Sequence, residues 1–126
     1  MNDVACPFCS YVGELVHESD FFTAIYDRFP VARGHTLVVP RIHVFEFFEL
    51  EPKALAELMP FVSKVLDRLR DSFELAGYNI GVNGGAVAGQ TVGHAHLHII
   101  PRYIGDCEDP RGGVRHIFPD KARYWE

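Results

Sequence analysis

Residues 94–100 read His-Ala-His-Leu-His-Ile-Ile and are followed by Pro101-Arg102. In a strand, side chains alternate between two faces, so His94, His96 and His98 fall on one face and Ala95, Leu97 and Ile99 on the other. Same-face neighbours sit roughly 7 Å apart, near enough for three imidazoles to serve one site. With an ordinary pKa of about 6.5, imidazole works as base, acid, nucleophile or metal ligand near neutrality. Packing accounts for a single histidine. Three at period two, with apolar residues between them, exceed what packing requires.

Two further groups lie within reach of chemistry. Cys6-Pro7-Phe8-Cys9 is compatible with a redox pair, half a metal site, or neither. A thioredoxin-like arrangement wants a strand before the first cysteine, and five residues do not supply one. Zinc wants two more ligands, and His43 and His94 are the natural candidates. A metal there turns His94 into a scaffold ligand and removes it from catalysis. The stretch 81–93, Gly-Val-Asn-Gly-Gly-Ala-Val-Ala-Gly-Gln-Thr-Val-Gly, leads straight into the histidines. Its glycines suit a plain hairpin connection. They also let backbone N–H groups, at Gly89 for example, approach phosphate oxygens without Cβ obstruction, with Gln90 and Thr91 adding side-chain donors.

These groups need elements to hold them. Residues 22–26 read as a strand ending at Asp27, with 15–18 a weaker strand able to pair with them across Ser19-Asp20. Arg33-Gly34 reads as a turn, and 35–40 as a mostly buried strand. Apolar residues recur at helical spacing from Pro52 to about Leu75 (Leu55, Leu58, Met59, Val62, Val65, Leu66, Leu69, Phe73), which predicts one long helix with a core-facing stripe. Pro52 suits its first position and Gly77 its C-terminal cap. Pro60 is the misfit, so a kink or break is expected there. Residues 78–83 read as a strand, and 104–126 as a mostly irregular tail.

Strands, a long helix, then strands give an α+β domain: an antiparallel sheet of about five strands with a short N-terminal helix or turn. The 126 residues make one domain, 1–126, with a single core. A formal net charge of −5 gives no basic field for long nucleic acid, while a small nucleotide needs only local donors. Met1–Ala5 lacks the features of a signal peptide, and no stretch approaches a membrane span. Three cysteines, an odd number, argue against a disulfide framework. A cytoplasmic protein is expected.

The histidine run, with Gly89-Gln90-Thr91-Val92 before it and 34–40 (Gly-His-Thr-Leu-Val-Val-Pro) upstream, resembles the histidine-triad (HIT) family, whose signature is His-φ-His-φ-His-φ-φ with φ apolar. The resemblance runs in matching order over residues 6–102. It implies the HIT-like fold and nucleotidyl hydrolysis or transfer at an α-phosphate. By similarity His96 is the nucleophile, His98 a catalytic and nucleotide-binding partner, and His35 a catalytic residue beside the phosphate. Asp27 matches the residue that binds ribose hydroxyls, and Asn83 a polar residue lining the site. Gly89, Gln90 and Thr91 would hold the phosphate.

A subset of the family looks like this chain in carrying a structural zinc on two cysteines and two histidines, here Cys6, Cys9, His43 and His94. No cofactor is then required for the chemistry. Dinucleoside polyphosphates of the diadenosine tetraphosphate type lead as substrates, because Gly89-Gln90-Thr91-Val92 and Pro101-Arg102 look like the dinucleotide-hydrolysing branch. Phosphoramidates are the alternative. The rival classes are a nucleotide-binding module with little turnover and a metalloenzyme using the three histidines as ligands.

Similar proteins pair as homodimers around the long helix and its neighbouring strand. The residues supply an independent motive: three phenylalanines in five (Phe45, Phe47, Phe48) and a terminal Tyr124-Trp125, suited to contact with a partner. Cys107, His17 and His116 are expected on the surface or in packing roles, and Arg111 and Arg115 in a solvated loop.

Overall fold

The computed structural model describes residues 6–125; Met1–Ala5 and Glu126 lie outside them. Five strands form one antiparallel sheet: β1 (Leu15–Glu18), β2 (Phe22–Tyr26), β3 (Thr36–Pro40), β4 (Gly77–Val82) and β5 (Leu97–Arg102). Their order across the sheet is β1-β2-β3-β5-β4, which leaves β1 and β4 at the edges. The expected α+β class with five strands is what the chain forms. At the N-terminus the expected short element is a turn through Pro7–Ser10.

The histidine strand begins later than its alternation predicts. β5 starts at Leu97, so only His98 of the three histidines lies inside it. Pro40 supplies the reason. The Arg41 N–H bonds the carbonyl of Phe21, toward β2, so Pro40 faces the β5 side. There it has no N–H to give, and its carbonyl takes a bond from the His94 ring at 2.9 Å. The ladder between β3 and β5 therefore covers only Leu97–Ile99 on the β5 side. Ala95 bonds instead to the carbonyl of Val44. The alternation itself survives: Ala95, Leu97 and Ile99 are all buried in the main core.

The helical stretch is two helices, α1 (Pro52–Ala56) and α2 (Leu58–Ser72), which meet at Glu57. Pro60 sets that break one turn upstream of itself, because it lacks the N–H that would reach the carbonyl of Ala56. The next residue, Phe61, bonds normally to Glu57. α2 ends at Ser72, short of Leu75. Phe73 turns directly to extended geometry, so Gly77 opens β4 and is not a helix cap. Phe61, Val62, Val65, Leu66 and Leu69 bury the face of α2 against Phe22, Ala24, Val38, Leu97 and Ile99. Fully burying such a side chain contributes about 1.5–3 kcal/mol. Met59, expected in this stripe, is exposed.

One sheet face thus carries the helices. The opposite face carries a smaller cluster, Ile25, Leu37 and Val39, packed under Phe8 and Tyr11 of the N-terminal segment. His98 shares this second face. Beyond β5 the tail is irregular except for 3-10 turns at Gly113–Ile117 and Pro119–Lys121.

Candidate active site

His35 stands just before β3 and is almost wholly buried. Its Nδ1 lies 3.1 Å from the backbone N–H of Val31, which can only donate, so Nδ1 carries a lone pair and the ring proton sits on Nε2. From Nε2 the proton faces His98 Nδ1 at 2.9 Å and Asp27 Oδ2 at 3.4 Å. His98 Nδ1 accepts, which places the His98 proton on its own Nε2. Burial is the main cause that lowers both pKa values. For His35 the Asp27 carboxylate pulls the other way. For His98 the neighbouring His96 and His35 push the value further down, and Asp27 opposes them. Both rings are held neutral, in the tautomers their partners dictate. Asp27 is itself oriented by the N–H of Phe29, which reaches Oδ1 at 2.8 Å.

His96 follows a parallel rule. Its Nδ1 lies 2.9 Å from the carbonyl of His94, so Nδ1 donates and Nε2 keeps its lone pair. Its ring sits 5.2 Å from that of His98 and 5.1 Å from Phe8, centroid to centroid. An imidazole nitrogen with a free lone pair therefore stands beside a second ring whose outer nitrogen bears a proton. That pair suits nucleophilic attack with a hydrogen-bond donor at hand.

The glycine-rich loop is braced from within. Gln90 donates to the carbonyls of Phe45 at 2.9 Å and Val92 at 3.0 Å, and accepts from the N–H of Gly85 at 2.9 Å. Its amide is committed to shaping the loop. Gly85 and Gly89 adopt φ of 92° and 95°, a region that strains residues with a Cβ. Thr91 is exposed, and Asn83 lines a cavity of about 680 Å³ together with His35 and His98.

His94 points away from this group. Its Nε2 donates to Pro40, so Nδ1 offers its lone pair to a second cluster: Cys6 Sγ at 3.4 Å, Cys9 Sγ at 3.5 Å and His43 Nδ1 at 3.1 Å. His43 Nδ1 also lies 3.0 Å from Cys9 Sγ. A tetrahedral zinc with Zn–S near 2.3 Å and Zn–N near 2.05 Å sets its ligand atoms about 3.3–3.8 Å apart. Two thiols and two imidazoles at these separations are compatible with zinc. The Pro40 carbonyl already supplies the outer hydrogen bond that orients a metal-binding histidine, and the N–H of Cys9 points at Cys6 Sγ.

The sequence therefore brings together Asp27, His35, His96 and His98 in one group and Cys6, Cys9, His43 and His94 in another. The three triad histidines do not converge as one ligand set, because His94 turns into the second group. Asp27, His35 and His98 are also close enough to share an ion. The Val31 N–H opposes it: a metal on His35 Nε2 leaves Nδ1 to carry the ring proton, facing another donor. No sequence signal marks that amide.

The remaining candidates have plain partners. Arg111 pairs with Asp109 and lies over the Trp125 ring, and Arg115 bonds the carbonyls of Ala122 and Lys121. His116 bonds the carbonyl of Arg111, and His17 stacks on Phe61. Cys107 accepts from Arg102. Among the phenylalanines, Phe47 enters the chain's own core, while Phe45 and Phe48 are exposed.

Comparison with known proteins agrees with this geometry. Residues 12–105 match the HIT domain. An uncharacterized HIT-like protein of Methanocaldococcus jannaschii is 43% identical over 123 residues, covering 93% of this chain and 95% of its own. An adenylylsulfatase of Arabidopsis thaliana is 34% identical over 81% of this chain and 54% of its own. The crystal structure of a zinc-bound histidine triad family protein from Mycobacterium smegmatis superposes with a TM-score of 0.74 at 32% identity, over 83% of this chain and 80% of that one. With the motif, the sheet order and the match over most of its length in agreement, the chain belongs to the histidine-triad family of nucleotide-binding proteins and hydrolases.

Proposed function

We propose that the protein is a nucleotide hydrolase that releases a nucleoside monophosphate through a nucleotidyl–His96 intermediate. The observation that carries this reading is the tautomer of His96, whose Nδ1 is held by the carbonyl of His94 so that Nε2 presents a lone pair. In the first step His96 Nε2 bonds to the α-phosphorus and the bond from phosphorus to the leaving group breaks. The leaving group departs with the electron pair, hydrogen-bonded by the Nε2–H of His98. In the second step a water oxygen bonds to phosphorus and the P–N bond breaks, restoring His96. Water's proton goes to solvent, which supplies the proton the leaving group takes up. The sum is substrate plus water giving monophosphate plus protonated leaving group.

Asp27 follows the end of β2, where the acceptor capacity its carboxylate keeps beside the Phe29 N–H and His35 suits ribose hydroxyls. Thr91 and Asn83 would receive the phosphate oxygens; the N–H groups of Ala88, Gly89 and Gln90, expected to do so, are spent on carbonyls of Gly85 and Ala86 inside the loop, and Gln90 acts by holding that loop in shape. His35 positions His98. These roles are supported by the contacts above, and the nucleotide chemistry by similarity to a relative named as an adenylylsulfatase. Dinucleoside polyphosphates and phosphoramidates are the two substrate classes that the motifs favour.

Cys6, Cys9, His43 and His94 would hold a structural zinc ion that ties the N-terminal turn to the end of β3. When bound, the ion contributes folding stability and needs no contact with phosphate. Two thiols kept as ligands suit the reducing cytoplasm. Pairing through the open edge of β4 would give a homodimer with one sheet across two chains.

His96→Ala tests the reading. Turnover of adenosine substrates is expected to vanish while nucleotide affinity stays within about threefold, because the groove and loop remain. Turnover within tenfold of the parent removes His96 as nucleophile.

A further inference from the structure

The amide that fixes the His35 proton belongs to an exposed loop. Residues 27–35 connect β2 to β3, and within them Phe29 and Val31 are 80% and 72% exposed. The main chain closes the ends of this loop: the Asp27 N–H bonds the carbonyl of His35, and the His35 N–H that of Ala32. Val31 buries little of itself, so its own packing does not hold its N–H at 3.1 Å from His35 Nδ1.

The hold comes from beyond β5. Across 70 residues of sequence, the Tyr103 hydroxyl donates to the carbonyl of Arg33 at 2.7 Å. The Arg33 guanidinium lies over the Tyr103 ring, 4.7 Å from its centre. One side chain thus grips Arg33 at both its main chain and its side chain. Gly34, at φ 83°, packs so closely that a Cβ there would come within 3.1 Å of the Phe73 ring and 3.3 Å of Pro101. Arg33 and Val31 are two residues apart, and the carbonyl of Ala32 between them is tied to the His35 N–H. An Arg33 that shifts therefore takes Val31 with it.

Tyr103 is itself set in place. Its N–H bonds Asp106 Oδ2 at 3.0 Å, and its carbonyl accepts from the Asp106 N–H at 3.1 Å. The same carboxylate takes two bonds from Arg102 at 2.8 Å, and Arg102 also reaches Asn79 of β4 at 2.8 Å. A braced turn at the end of the histidine strand thus reaches across to the loop that orients His35. Bidentate pairing of this kind fixes geometry as well as contributing energy.

We propose that Tyr103 is a positioning residue for the reaction: by gripping Arg33 it keeps the Val31 N–H on His35 Nδ1, and so keeps the His98 proton on its outer nitrogen. The inference rests on the nucleotidyl-transfer reading, in which that proton meets the leaving group. Tyr103 acts through the loop and through His35, without touching the reacting atoms.

Tyr103→Phe removes the hydroxyl and leaves the ring. The Val31 amide is expected to exchange with deuterium about three- to tenfold faster, the effect of losing one hydrogen bond. Nitrogen-15 spectra at neutral pH should show His35 and His98 in mixed tautomers. On diadenosine tetraphosphate or adenosine phosphoramidate, kcat should fall about three- to tenfold with KM within about twofold. In a His35→Ala background, where no relay remains, adding Tyr103→Phe should change kcat by less than about twofold. Unchanged Val31 exchange and unchanged histidine spectra overturn the proposal whatever happens to turnover. So does an equal loss of kcat with and without His35, or a KM that rises while kcat holds, which makes Tyr103 a substrate contact. Mixed tautomers with kcat unmoved overturn the role of Tyr103 in turnover. A parent protein that turns over neither substrate counts against the nucleotide reading, while exchange and spectra still judge the grip on Val31.

Discussion

His35 Nε2 lies 2.9 Å from His98 Nδ1, and the direction of that hydrogen bond is set from outside the pair by the backbone N–H of Val31. One amide thus determines that His98 shows a proton, and not a lone pair, on its outer nitrogen. The carbonyl of His94 imposes the opposite arrangement on His96. Two adjacent imidazoles are made complementary by main-chain groups.

Removing the relay should therefore damage the chemical step more than binding. His35→Ala is expected to lower kcat by about 100-fold or more, with KM within a few-fold. Nitrogen-15 spectra of the imidazoles should show His98 protonated at Nε2 in the parent and mixed tautomers in the variant. An unchanged His98 spectrum in His35→Ala contradicts the relay.

The same burial predicts how stability varies with pH. A histidine whose pKa is lower folded than unfolded binds fewer protons in the native state, so its contribution is complete above about pH 6.5. It is lost as pH falls from there through the lowered folded values. Urea unfolding at pH 7.5 and 5.5 should show a smaller loss for His35→Gln than for the parent. All other titrating groups are present in both proteins and cancel in the difference. Equal losses contradict the assignment.

Much of this arrangement is legible in the residues. The period of two from Ala95 to Ile99 identifies the core-facing side of the histidine segment, and the Cys-x-x-Cys spacing singles out the second cluster. The limits of the elements are less visible. Pro40 ends the β3 ladder because of which way its missing N–H would point, and that depends on the pairing of β2. Gln90 reads as a phosphate donor because its type allows it, while its partners Phe45 and Val92 are brought near only by the fold. Val31 carries no chemistry in its side chain and acts through an amide that every residue but proline has.

The second cluster yields a prediction about metal. Purified protein should contain one zinc per chain, and Cys6→Ser should lose most of it and lower the melting temperature by several degrees. A brief chelator treatment should leave turnover unchanged. A zinc-free protein whose melting temperature is untouched by Cys6→Ser contradicts the structural site, and two ions per chain contradict the exclusion of metal from His35.

β4 exposes an unpaired edge, and Phe45 and Phe48 are exposed while Phe47 is buried. Light scattering at micromolar concentration should give about twice the chain mass of 14.2 kDa. A mass equal to one chain contradicts the dimer.

The most direct test of the central claim is to mix protein with adenosine substrates, quench within milliseconds under alkaline conditions that preserve a P–N bond, and weigh the peptides by mass spectrometry. The geometry predicts an adenylyl group on the peptide containing His96, located on that residue by fragmentation and absent from His96→Ala. Substrate turned over with no adduct on His96, or with one on His98 or His35, contradicts it.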